Sequence, residues 1–155
     1  MYAIRDLSYF LGRERVKGRA YVIQPFQAVD AVQKQYLAVA TRLGIKSYRY
    51  VILFMRLAMK VQKQAAASRG NVKSAIKAGL FSNRWYTLSV WEDRASMLAF
   101  LREEPHATAI RNMAKWGRPD STFVEFTPAN PDVTWAEAKH QLEKPTFTYG
   151  QSGRT

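Results

Sequence analysis

Trp85-Tyr86-Thr87-Leu88-Ser89-Val90-Trp91-Glu92-Asp93 is the stretch that decides how this chain is read. Along an extended strand, Trp85, Thr87, Ser89 and Trp91 share one face, and Tyr86, Leu88 and Val90 share the other. The second set is apolar and requires a helix over it. The first is a mixed aromatic and hydroxyl surface, left open if the helices are spent on its opposite. Asp93 follows at once as an N-cap, so the strand runs directly into an amphipathic helix.

Working outward from this stretch, Met97, Leu98 and Leu101 give the helix its apolar spacing before Pro105, and a second helical piece runs from Pro105 to about Lys115. A strand spans Asp120 to Thr127, with Phe123 facing opposite to Val124 and Phe126. Thr134-Trp135-Ala136-Glu137 fits a capping box for a short helix as far as about Leu142, and Pro145 to Thr155 reads as a tail. Toward the N-terminus, Ser82-Asn83 turns the chain back into a strand from Val72 to Leu80, with Val72, Ser74, Ile76, Ala78 and Leu80 on one face. Arg69-Gly70-Asn71 breaks the helix before it, which Ser47 caps and which runs to about Ser68. Val51, Phe54, Met55, Ala58, Val61 and Ala65 line one side of that helix, while Arg49, Arg56, Lys60 and Lys63 form a basic stripe on another. Tyr36 to Leu43 is the first core strand and ends at Gly44.

The order strand, helix, strand, strand, helix, strand is the βαββαβ arrangement of ferredoxin-like α+β domains. The expected organisation is a basic N-terminal arm over residues 1–34, a ferredoxin-like core over 35–128, and a C-terminal helix with a tail over 129–155. In such a domain the helices cover one sheet face. An open face bearing Trp85 and Trp91 is a large aromatic patch that a soluble monomer rarely tolerates, so a homodimer or another covering protein subunit is expected.

The chain has 155 residues, 47% of them hydrophobic, which supports one domain with a real core and excludes a wholly disordered chain. It has no cysteine, which removes disulfides and thiolate catalysis. No apolar run approaches the roughly 20 residues that span a bilayer, and the opening residues lack the pattern of a secretory signal, so the expectation is a cytoplasmic protein. Twenty-four Lys and Arg against twelve Asp and Glu give a formal charge of +12. That potential attracts polyanions, acidic proteins or an anionic membrane surface, with solubility as the plain alternative. Candidate partner-binding cations are Arg13, Arg15, Lys17 and Arg19 in the arm, and Arg49, Arg56, Lys60 and Lys63 on the helix.

The strand with its Glu92-Asp93 ending, together with Met97, Phe100 and Pro105-His106, resembles the dimeric α+β barrel proteins of the antibiotic-biosynthesis-monooxygenase type, including relatives similar to spheroidene monooxygenase. The resemblance spans about residues 36–127 and leaves the arm uncovered. It implies a pocket between sheet and helices for an apolar or aromatic small molecule, sometimes with haem and sometimes with no cofactor. The haem-degrading branch uses an Asn on the first strand, a Trp on the second helix and a haem-ligating His farther along that helix. Here the Trp position is Phe100, the His position is Ile110, and no Asn occurs between Tyr36 and Ile45. The expectation is therefore no cofactor.

His106 is the candidate catalytic residue, since a helix start disfavours the imidazolium and keeps the ring able to accept a proton. The bland reading is a structural histidine beside a proline. Trp85 and Trp91 with Thr87 and Ser89 form the candidate substrate-binding set, the rings stacking a planar ligand and the hydroxyls bonding its polar edge. The alternative is that the aromatics fill a dimer core. Three functions follow: a small-molecule-binding barrel with cofactor-independent monooxygenase activity, a non-catalytic basic accessory subunit docking on an acidic or membrane-bound complex, and a non-specific nucleic-acid-binding module. The last lacks any nucleic-acid motif.

Overall fold

The computed structural model describes residues 34–79 and 82–151. The arm, with Arg13, Arg15, Lys17 and Arg19, therefore lies outside the described residues apart from its last position. The elements run in the order β1 (Leu37–Gly44), α1 (Tyr48–Ala67), β2 (Asn71–Gly79), β3 (Arg84–Trp91), α2 (Arg94–Arg102), α3 (His106–Trp116), β4 (Thr122–Phe126), α4 (Trp135–Gln141) and β5 (Phe147–Thr148). The strands form one antiparallel sheet in the order β2-β3-β1-β4-β5. This is the expected ferredoxin-like α+β arrangement, extended by one strand.

Local chemistry explains the boundaries. The Asp93 carboxylate accepts from the Ser96 backbone N–H at 2.7 Å, and the Thr134 hydroxyl accepts from the Glu137 N–H at 3.2 Å, so both expected caps are formed. Ser47 stands at the start of α1 without a side-chain cap bond. Gly70, between α1 and β2, has φ +76°, and a Cβ there would run into the Ser96 side chain, so both conformation and space require glycine. Asn83 takes the left-handed conformation in the β2–β3 turn and donates from Nδ2 to the Ile45 carbonyl at 2.6 Å.

The two sheet faces are covered the other way round from the sequence-based expectation. Register places Leu37, Val39, Thr41 and Leu43 of β1 beside Trp91, Ser89, Thr87 and Trp85 of β3. This face carries the helices: Trp91 packs with Ala65, Met97 and Phe100, and Trp85 packs with Phe54 and Met113. Trp85 is 4% exposed and Trp91 0%. The opposite face, with Ala38, Ala40, Leu88, Val90 and Val124, meets Val133, Ala138 and Leu142 from the α4 region.

The physical reason is bulk. Two indoles carry the larger apolar area, and the three helices α1–α3 supply the surface to bury it. The hydroxyls that suggested a wet face are satisfied internally: Thr41 and Thr87 share a hydrogen bond of 2.7 Å, and Trp91 Nε1 donates to Ser89 Oγ at 3.0 Å. Ala38 and Ala40 let the short α4 approach the other face closely. The ground on which a covering partner was expected, an exposed aromatic face, is therefore absent.

Two smaller departures follow from pairing. A bulge between Asn71 and Lys73 shifts Val72 out of line with Ser74, Ile76 and Ala78. The segment read as a tail pairs instead with β4, Phe147 opposite Phe123 and Thr148 opposite Thr122, before a short 3₁₀ turn at Tyr149–Gln151.

Candidate functional site

A cavity of about 480 Å³ lies between the Trp-bearing sheet face and helices α1–α3. That is within the range of about 300–1,000 Å³ usual for small-molecule sites. Its floor is built by the sheet register. Ile76, Thr87, Thr41 and Phe123 form a row across β2, β3, β1 and β4, and Ser74, Ser89 and Val39 form the next. Its roof comes from Phe54, Leu57 and Val61 of α1, Met97 and Phe100 of α2, and His106, Ile110 and Met113 of α3. Phe147 and Tyr149 add to the lining from the C-terminal segment.

The walls are apolar with a few placed polar groups. Besides the Thr41–Thr87 pair and Ser89, Gln62 Nε2 donates to the Ser74 carbonyl at 2.9 Å and to its hydroxyl at 3.0 Å. Burial raises the Tyr149 phenol above its usual pKa, so it stays protonated at neutral pH.

His106 opens α3 and lines the cavity. Its ring lies 4.4 Å from that of Phe100, which in turn lies 5.0 Å from Trp91, so the three rings form one row. The loop that carries it is held by Gln64, whose Oε1 accepts from the His106 backbone N–H at 3.0 Å and whose Nε2 donates to the carbonyls of Phe100 and Glu103. Burial pushes the imidazole pKa below its ordinary value, and a hydrogen bond with the Leu101 backbone opposes that only in part. Its Nδ1 is buried and makes no hydrogen bond to protein. The ring is therefore neutral at pH 7, with one nitrogen uncommitted.

Of the candidate site residues, Thr87, Ser89, Trp91 and His106 share this cavity. Trp85 does not: it packs at 5.1 Å against Phe54 in an adjoining core cluster. Arg49, Arg56, Lys60 and Lys63 are exposed on α1, away from it. Sequence reasoning missed Thr41, Gln62, Phe123, Phe147 and Tyr149. Thr41 was discoverable in principle, because it stands two residues from both Val39 and Leu43 on one face of β1. Phe147 and Tyr149 gave no signal, since only pairing with β4 brings them in.

The haem-degrading donor set is not reproduced. Phe100 and Ile110 line the cavity where the resemblance puts a Trp and a ligating His, and β1 contributes Val39, Thr41 and Leu43 to it. Among the described residues, no group of three or more His, Asp or Glu side chains is arranged to hold a metal ion.

Solved structures similar to the chain include a putative antibiotic biosynthesis monooxygenase from Nitrosomonas europaea, at 15% identity and TM-score 0.56, over 64% of this chain and 95% of that one. The fold is that of the antibiotic-biosynthesis-monooxygenase-like proteins. Rv0793 from Mycobacterium tuberculosis aligns over 63% of this chain and 99% of its own, at 8% identity and TM-score 0.56. A conserved protein from Methanosarcina mazei aligns over 61% and 93%, at 13% identity and TM-score 0.53. At these identities the likeness is one of fold alone. No known protein family and no curated protein matches the sequence.

Proposed function

We propose that this chain binds an apolar or aromatic small molecule between sheet and helices and oxygenates it without a cofactor. The observation that carries this reading is the cavity, an apolar volume of about 480 Å³ with hydroxyls on its floor and a neutral imidazole at its side. Phe100, backed by Trp91, offers a ring face for stacking, and the Thr41–Thr87 pair and Ser89 offer hydrogen bonds to a polar edge.

His106 is the base in this reading. Its imidazole takes a proton from a CH₂ group acidified by flanking aromatic rings, leaving an electron-rich carbanion that reduces molecular oxygen directly. One oxygen atom stays on that carbon as a carbonyl, and the other leaves as water with both hydrogens. All the electrons come from the substrate. The resemblance to monooxygenases supports the chemistry, and antibiotic biosynthesis monooxygenases are among the proteins that share the fold.

The test is native mass spectrometry of the chain purified from its source, followed by exposure of the released ligand and fresh protein to oxygen. The expected result is a noncovalent adduct whose released ligand becomes heavier by one oxygen and lighter by two hydrogens. His106→Gln should keep the adduct and lose the conversion. An empty chain that also fails to turn over any bound aromatic probe contradicts the reading.

A further inference from the structure

We propose that the outward face of α1 is a docking surface for an anionic lipid bilayer. Tyr48, Ile52, Met55 and Met59 follow one another at spacings of four, three and four residues, which puts them on one line along the helix. Their exposures are 66%, 67%, 40% and 59%. The buried side of α1 is a separate set, centred on Phe54 and Ala65, so this line takes no part in the fold's own core.

Beside it runs a second line, Arg49, Arg56, Lys60 and Lys63, all exposed. α1 contains no acidic residue. Among the described residues, acidic side chains pair with Lys34, Lys73, Arg84, Arg94, Arg111 and Arg118, and none of the four α1 cations enters an ion pair. No described acidic side chain neutralises the stripe's positive field, on a chain whose formal charge is already +12.

An apolar line flanked by single-sign cations fits a planar anionic surface. Flexible Met and Ile side chains enter the boundary between headgroups and acyl chains, while Lys and Arg extend to the phosphates. The helix is 20 residues long and sits on the outside of a finished domain, so it lies along the surface. No helix among the described residues is long and apolar enough to cross a membrane. A second copy of this chain is a poorer occupant, because it would set two unneutralised basic stripes against each other. An acidic protein would match the charge, but α1 offers it no acidic group for the mixed-sign pairing that fixes a register between proteins.

The test is flotation of the full chain with vesicles of phosphatidylcholine alone, and with about one third phosphatidylglycerol. Two variants accompany it: Ile52→Gln with Met59→Gln, which keeps every charge, and Arg56→Glu with Lys60→Glu and Lys63→Glu. Thermal midpoints and circular dichroism, expected near wild type for these exposed sites, verify that each is folded. The wild type should float with the anionic vesicles only, and each variant should bind them at least about tenfold less. A wild type that stays unbound overturns the proposal. So does a glutamine variant that floats as the wild type does, which would assign binding to charge elsewhere on the chain. Retention on immobilised polyglutamate that needs Ile52 and Met59, without vesicle binding, assigns the stripe to an acidic protein. A dimer that the glutamine variant dissolves assigns it to a second copy; either result overturns the lipid reading.

Discussion

Thr41 and Thr87 carry the tightest polar contact on the cavity floor, a hydroxyl pair at 2.7 Å on facing residues of β1 and β3. Removing one hydroxyl strands the other, so Thr87→Val should cost about 1–2 kcal/mol, whereas changing both removes donor and acceptor together. Chemical denaturation of the two single variants and the double should show the double losing less than the sum of the singles. His106 gives the pH dependence. Its folded pKa lies below its ordinary 6.5, so the unfolded chain binds more protons between those two values. Stability from this group is therefore fully present above 6.5 and falls as the pH is lowered through that window, at no more than about 1.4 kcal/mol per pH unit. Thermal scans should show a fall in melting temperature from neutral to mildly acidic pH that His106→Gln reduces. The rate of any proton abstraction by His106 should rise with pH through its folded pKa and then level off.

Among the elements, α4 has the least expected role, since this short helix closes the sheet face opposite the cavity. Leu142, just past its end, is 6% exposed and packs in the cluster with Ala38, Leu88 and Val90. Leu142→Ala should cost about 2–4 kcal/mol, and Thr134→Ala about 1 kcal/mol through loss of the cap, both read from denaturation midpoints. Much of this level was legible in the residues. Alternation located β3, Asp93 and Thr134 marked two helix starts, and Gly70 marked the turn before β2. What alternation could not supply was which face of β3 the helices take. Period two sorts side chains into two sets without ranking them. The hydroxyls of Thr87 and Ser89 look wet in sequence, and their partners, Thr41 and the Trp91 indole, become evident only with register and rotamers.

At the scale of the whole molecule, a ferredoxin-like sheet covered on both faces by its own chain encloses a cavity on its aromatic side. The candidate site was half legible: Thr87, Ser89, Trp91 and His106 meet there, while Trp85 was a false member because one strand face extends beyond one cavity. Phe147 and Tyr149 come from a segment too short to announce itself as a strand. The α1 stripe was legible as charge, and its apolar companion line only once burial had separated Met55 from the core-facing positions.

Ligand binding in the cavity is read by calorimetric titration of 1-naphthol, a planar hydroxylated aromatic, into the wild-type chain and into Ile76→Trp, which fills the cavity floor. Saturable one-to-one binding to the wild type is expected, weakened by Trp91→Ala and abolished by the filled variant, with all three proteins folded by near-ultraviolet circular dichroism. Binding of equal strength to the wild type and the filled variant would place the ligand elsewhere and contradict binding in the cavity.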